Sequence, residues 1–241
     1  MASTISELIE TQADDAPALG APDRGWLDYA GLRALAGDVR GWLHAAGIGR
    51  GDRVAIVLPN GPEMAAAFVT VAQTAVTAPL NPSYREEEFA FYLEDLKARA
   101  LIVEARYDGP ALAAARRFGL AVLRLSVPEG APAGRFELAE DAPAENAGHA
   151  DTAAPDAGEV ALILHTSGTT SRPKIVPLLQ SNVAASALNI LESLDLSPCD
   201  RCLNVMPLFH IHGLVAAVSA SLAAGGSIWC APGFDALKFF A

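Results

Sequence analysis

Cysteine is scarce: 241 residues hold three, Cys199, Cys202 and Cys230, which cannot build a disulfide framework. A leader is not evident either, because Met1-Ala2-Ser3-Thr4-Ile5 lacks a basic region followed by an apolar core. Long apolar runs are also missing. The most membrane-like stretch, Leu214 to Cys230, is interrupted by Ser219, Ser221 and Gly225-Gly226, and falls short of the roughly 20 residues a span needs. Cations are few, 17 Lys and Arg against 28 Asp and Glu, a net charge of −11 that argues against nucleic acid as a general partner. These absences predict a soluble, cytoplasmic protein with no integral membrane association.

The most telling absence is local. Between Glu159 and Glu192 there is no acidic residue, although the chain's average predicts roughly three or four there. That window holds Leu164-His165-Thr166-Ser167-Gly168-Thr169-Thr170-Ser171-Arg172-Pro173-Lys174. Small and hydroxyl-bearing residues leave the backbone N–H groups free to turn toward a polyanion. Thr166, Ser167, Thr169 and Thr170 add hydroxyl donors, and Lys174 adds a point charge suited to phosphate oxygens. Ala161 to Leu164 and Ile175 to Leu178 read as strands on either side. The segment therefore reads as a phosphate-gripping loop. It is not a Walker loop, since Pro173 precedes the lysine and Ile175 follows it.

These residues resemble the signature loop of the adenylate-forming (AMP-binding) superfamily, Thr-Ser-Gly-(Ser/Thr)-Thr-Gly-x-Pro-Lys-Gly-Val. Thr166, Ser167, Gly168, Thr169, Thr170, Pro173, Lys174 and Val176 match, whereas Ser171 and Ile175 stand where glycine is usual. A second stretch, Met206-Pro207-Leu208-Phe209-His210-Ile211-His212-Gly213-Leu214, resembles the superfamily's Pro-Leu-Phe-His-x-x-Gly at Pro207, Leu208, Phe209, His210 and Gly213. Weaker landmarks are Gly51-Asp52-Arg53-Val54-Ala55-Ile56, Pro59-Asn60-Gly61-Pro62-Glu63 and Pro79-Leu80-Asn81-Pro82-Ser83-Tyr84. His165-Thr166-Ser167-Gly168 with Val176-Pro177-Leu178 is similar to the oxalate- and coumarate-CoA-ligase-like branch.

The resemblance implies an acyl-CoA synthetase type of ligase acting on a small carboxylic acid with ATP, Mg²⁺ and CoA as co-substrate. It implies Thr166, Lys174 and His210 as catalytic residues. Thr166, Ser167, Gly168, Thr169, Thr170 and Lys174 would form the nucleotide-binding set, with His210 beside the acyl carboxylate and α-phosphate. Family members are about twice as long, and the chain stops at Phe239-Phe240-Ala241 without a helix cap. An amino-terminal piece, inactive alone and without its carboxyl-terminal domain, is therefore expected. Two other functions stay open. One is a non-catalytic nucleotide-binding module. The other is a metal-binding interaction protein using Cys199, Cys202, His210 and His212.

Alternating strand and helix patterns predict an α/β fold with parallel-rich sheets covered by helices. Helical spacing runs from Gly31 to Ala46, with Gly47 closing it; Arg53 to Leu58 reads as a buried strand, and a helix follows from Pro62. Ser83 to Glu86 reads as a capping box, Leu101 to Val103 and Ala121 to Leu123 as strands. Residues 126–157, rich in Pro, Ala and acidic residues, read as a long surface loop. It would end a first subdomain (1–157) before a second (158–241) that carries the phosphate loop. In that second part a helix is expected from Ser181 to Leu194, strands at Leu203 to Val205 and Ser227 to Cys230, and a helix after Gly213.

Overall fold

A computed structural model describes residues 2–144, 149–166 and 173–237. The expectations for Ser167, Gly168, Thr169, Thr170, Ser171, Arg172, Phe239, Phe240 and Ala241 lie outside those residues. Helix α1 (Ile5–Glu10) leads to β1 (Pro17–Gly20), β2 (Leu27–Asp28) and α2 (Tyr29–Ala45). Then come β3 (Arg53–Val57), α3 (Pro62–Val71), β4 (Val76–Pro79), α4 (Glu86–Leu96), β5 (Ala100–Glu104), α5 (Pro110–Arg117) and β6 (Ala121–Ser126). After β7 (Glu137–Ala142), β8 (Val160–Thr166) and β9 (Lys174–Leu179) follow α6 (Gln180–Ser193) and β10 (Arg201–Asn204). A π-helical stretch, His212–Ser219, runs into α7 (Ala220–Ala223), and β11 (Ser227–Cys230) is the last element among the described residues.

Two sheets result, ordered β7-β6-β5-β3-β4-β8-β9 and β10-β11-β1-β2. Every antiparallel strand sits at an edge: β7 on β6, β9 on β8, and β2 on β1. The interior pairings are parallel, so this is the expected α/β arrangement of parallel-rich sheets covered by helices. Strands from both sides of residue 157 meet in both sheets. β8 and β9 extend the sheet of β3 to β7, and β1 lies against β11.

Alternation along each strand divides the core. Val54, Ile56, Leu162 and Leu164 face the layer holding α2, α3 and α6, whereas Ala55, Val57 and Ile163 face α4 and α5. Helix α3 packs against strands of both sheets and is apolar all round, as a sandwiched helix must be. Its Ala65, Ala66 and Ala67 are fully buried. Pro62 at its first position costs no helical hydrogen bond.

Three expectations are corrected. Residues 126–157 are not a bare surface loop: β7 pairs with β6, and Phe136 and Leu138 are buried in the core. Glu63 of α3 holds this segment by an ion pair to Arg24 and a bond from the Gly134 N–H, while Arg24 also donates to the Pro132 carbonyl at 2.8 Å. Ser83 does not cap α4. Arg85 occupies the cap, its N–H donating to Glu88 at 2.9 Å, and the Ser83 N–H instead donates to Asn81. The helix after Gly213 is π-wound; the Ser219 hydroxyl donates to the Leu214 carbonyl five residues back, in keeping with the wider turn.

Candidate active site

In the β8–β9 hairpin Thr166 and Lys174 are direct ladder partners, and both are exposed. Cross-strand partners project from one face with Cβ atoms roughly 4.5–5.5 Å apart. The two side chains therefore leave neighbouring positions of one face where the strands leave the sheet. By strand parity Thr166 shares its face with Leu162 and Leu164, the face covered by α6. A hydroxyl donor and a mobile cation held this way can serve neighbouring oxygens of one polyanion.

His165 points to the opposite face, into a setting the sequence did not disclose. Its side chain is only 6% exposed, with Nε2 at 3.2 Å from the Asp95 carboxylate of α4. Its ring meets Tyr92 edge-on at 4.5 Å, and Tyr84 stacks on Tyr92 at 4.8 Å. Burial pushes the imidazole below its ordinary 6.5, and Asp95 only partly offsets this. The folded protein thus keeps His165 neutral at pH values where the unfolded chain would protonate it. Proton uptake then favours unfolding, so this part of the stability is present above pH 6.5 and is lost as the pH falls below it. Thermal unfolding between pH 8 and 5 should show a decline that His165→Gln flattens; an unchanged slope in the variant would remove His165 as the cause.

His210 lies in the second sheet's connections, in the turn between β10 and the π-helical stretch. It is exposed, and its ring lies 5.0 Å from that of Phe209. The backbone of this turn is held at several points. Asn204 accepts from the Met206 N–H at 3.2 Å, and the Pro207 carbonyl accepts from the His210 N–H at 3.2 Å. Asn60, in the turn after β3, accepts from the Leu208 N–H at 2.9 Å and donates to the Ala231 carbonyl at 3.0 Å. Helix α6, continuing directly from β9, packs against the π-helical stretch and so ties the hairpin to the His210 segment.

The parallel strands of each sheet end on one side, where α/β folds place ligands. A cleft of about 230 Å³ opens there, lined by Ala21, Leu58, Asn60, Glu104, Leu125 and Cys230, which follow or close β1, β3, β5, β6 and β11. Cys230 is buried, which pushes its thiol up to about 12, and Cys199 is exposed. Among the described residues no group of three His, Cys, Asp or Glu side chains is placed to hold a metal ion.

The sequence matches the AMP-binding enzyme family over residues 7–241. The chain belongs to that family. It is similar to the oxalate–CoA ligase of Saccharomyces cerevisiae, 38% identical over 215 residues, covering 79% of this chain and 39% of that protein. The oxalate–CoA ligase of Arabidopsis thaliana is 37% identical over 235 residues, 93% of this chain and 44% of its own length. ATP-bound MatB from Rhodopseudomonas palustris superposes with a TM-score of 0.80 at 29% identity, covering 98% of this chain and 46% of MatB. The fold of this family member is that of the amino-terminal domain of adenylate-forming enzymes, and the chain spans less than half the length of these relatives. Among the described residues no helix is long and apolar enough to cross a membrane.

Proposed function

We propose that this chain is the nucleotide-gripping part of an ATP-dependent carboxylate–CoA ligase. The observation that carries it is the Thr166–Lys174 pairing, with the sequence between the two holding Ser167, Gly168, Thr169, Thr170, Ser171 and Arg172 and no acid. A carboxylate oxygen of the substrate attacks the α-phosphorus of ATP, the bond to the bridging oxygen breaks, and pyrophosphate leaves with the electron pair. The thiol of CoA then attacks the acyl carbon, AMP departs, and the thiol proton passes to solvent. Lys174 and the Thr166 hydroxyl, joined by Ser167, Gly168, Thr169 and Thr170, meet the charge that gathers on the phosphates. Preorganised donors of this kind lower the barrier without reorganising during the reaction. His210 stands beside the reacting carboxylate.

Mg²⁺ would enter with the nucleotide. Among the described residues no group of three His, Cys, Asp or Glu side chains is placed to hold it, so its remaining ligands would be phosphate oxygens and water. The relatives' activities make oxalate the first acid to try. The protein of the complete reading frame, given ATP and magnesium, is expected to exchange labelled pyrophosphate into ATP only when a carboxylic acid is present, and to form its CoA thioester. ATP binding without acid-dependent exchange across a panel of acids would overturn the ligase and favour a non-catalytic nucleotide-binding module.

A further inference from the structure

The side chain of Asn60 does more than shape the turn after β3. It sits at the carboxyl edge of the seven-stranded sheet, and both of its polar groups are used on the carboxyl edge of the other. Its oxygen accepts from the Leu208 N–H at 2.9 Å, and its nitrogen donates to the Ala231 carbonyl at 3.0 Å. Leu208 follows β10 and Ala231 follows β11, so one amide joins three strand ends from two sheets. Leu208 lies two residues before His210, and its side chain is 1% exposed, which leaves that backbone little room to drift. Between Leu208 and His210 the chain turns tightly, closed by the bond from the His210 N–H to the Pro207 carbonyl.

We propose that Asn60 is a positioning residue for the adenylation step, acting through the Leu208 backbone to fix where His210 presents its ring. This rests on the ligase function proposed above. A side chain of fixed length with a donor and an acceptor can hold two backbones in register at once; a hydrophobic contact cannot set distance and direction together. The ring of His210 is exposed and, among the described residues, lies against the ring of the neighbouring Phe209. Its placement therefore depends on the backbone beneath it. Small displacements of a group that meets the reacting atoms are costly, since misplacement by an ångström can cost about a hundredfold in rate.

The two half-reactions separate this from a general tie between sheets. In the protein of the complete reading frame, Asn60→Ala is expected to slow acid-dependent pyrophosphate exchange by about ten- to a hundredfold. Thiolysis of supplied acyl adenylate by CoA should stay within about twofold of the unsubstituted protein. Because Asn60 acts through His210, adding Asn60→Ala to His210→Ala should cost no more than about twofold beyond His210→Ala alone. Asn60→Asp keeps the acceptor toward Leu208 but turns a carboxylate oxygen onto the Ala231 carbonyl, so its exchange should also fall, by about tenfold, with thiolysis again within about twofold. Should Asn60→Ala not fold, that variant carries the test.

Equal losses in both half-reactions, or fully multiplicative losses in the double variant, would overturn the positioning role. So would normal exchange in Asn60→Ala beside an impaired His210→Ala. No exchange in the unsubstituted protein would instead overturn the underlying function and the positioning role with it; normal exchange in His210→Ala would leave that function standing and overturn the positioning role alone.

Discussion

Replacing Lys174 with Ala should depress acid-dependent pyrophosphate exchange by about 10²- to 10³-fold, the scale of losing one preorganised donor to developing charge. Lys174 opens β9 opposite Thr166 and is exposed, so its removal takes nothing from the core. Stability should therefore change by no more than about 0.5 kcal/mol, and the rate loss can be read as chemistry. The leaving pyrophosphate carries more charge in the transition state than in bound ATP. The loss should consequently fall mainly on turnover and less on the ATP concentration giving half-maximal rate. Lys174→Arg keeps the charge but spreads it over a planar fork, and recovery should be partial. Exchange unchanged in Lys174→Ala, with ATP still bound, would mean that the hairpin does not grip the phosphates.

How much of this could be read beforehand depended on whether the determining contacts were local. Helix α2 was legible because Leu32, Leu35, Val39 and Leu43 recur at helical spacing and all are fully buried. Strand β11 was read at its observed bounds, since Ser227 to Cys230 is a short apolar run after two glycines. The strand β7 was hidden. As an edge strand it needs one inward side chain, Leu138, and its charged outward residues look like loop. Nothing local announces that β1 pairs with β11 some two hundred residues later, because that register is set by packing across the whole chain.

The residues proposed for the site followed the same rule. Thr166, Lys174 and His210 were legible from residue type and order, and the structure places Thr166 and Lys174 as partners while setting His210 in the connections of the other sheet. Asn60 was passed over because an asparagine between proline and glycine reads as a turn former, a role that leaves no trace of distant partners. The His165–Asp95 contact joins β8 to α4 across seventy positions and has no sequence signal of its own.

Gly213→Ala should be the second large effect, because glycine there serves close packing. Its backbone sits so near Pro207 that an added Cβ would lie 2.6 Å from the Pro207 carbonyl oxygen and 3.3 Å from a Leu208 methyl. The first is a backbone atom and cannot swing aside. That same carbonyl accepts the His210 N–H, so pushing it away opens the turn that presents the ring. Forcing a methyl into a packed site costs about 1–3 kcal/mol, visible as a lowered thermal midpoint. Exchange should fall by about tenfold or more in addition, measured where the variant is still fully folded. Gly41→Ala in α2 is the control: a Cβ there meets nothing within 4 Å, and alanine in an exposed helix should be neutral or stabilising. If Gly213→Ala lowered the midpoint yet left exchange intact, the turn at Pro207 would be a structural joint alone, and the ring of His210 would owe its position to some other contact.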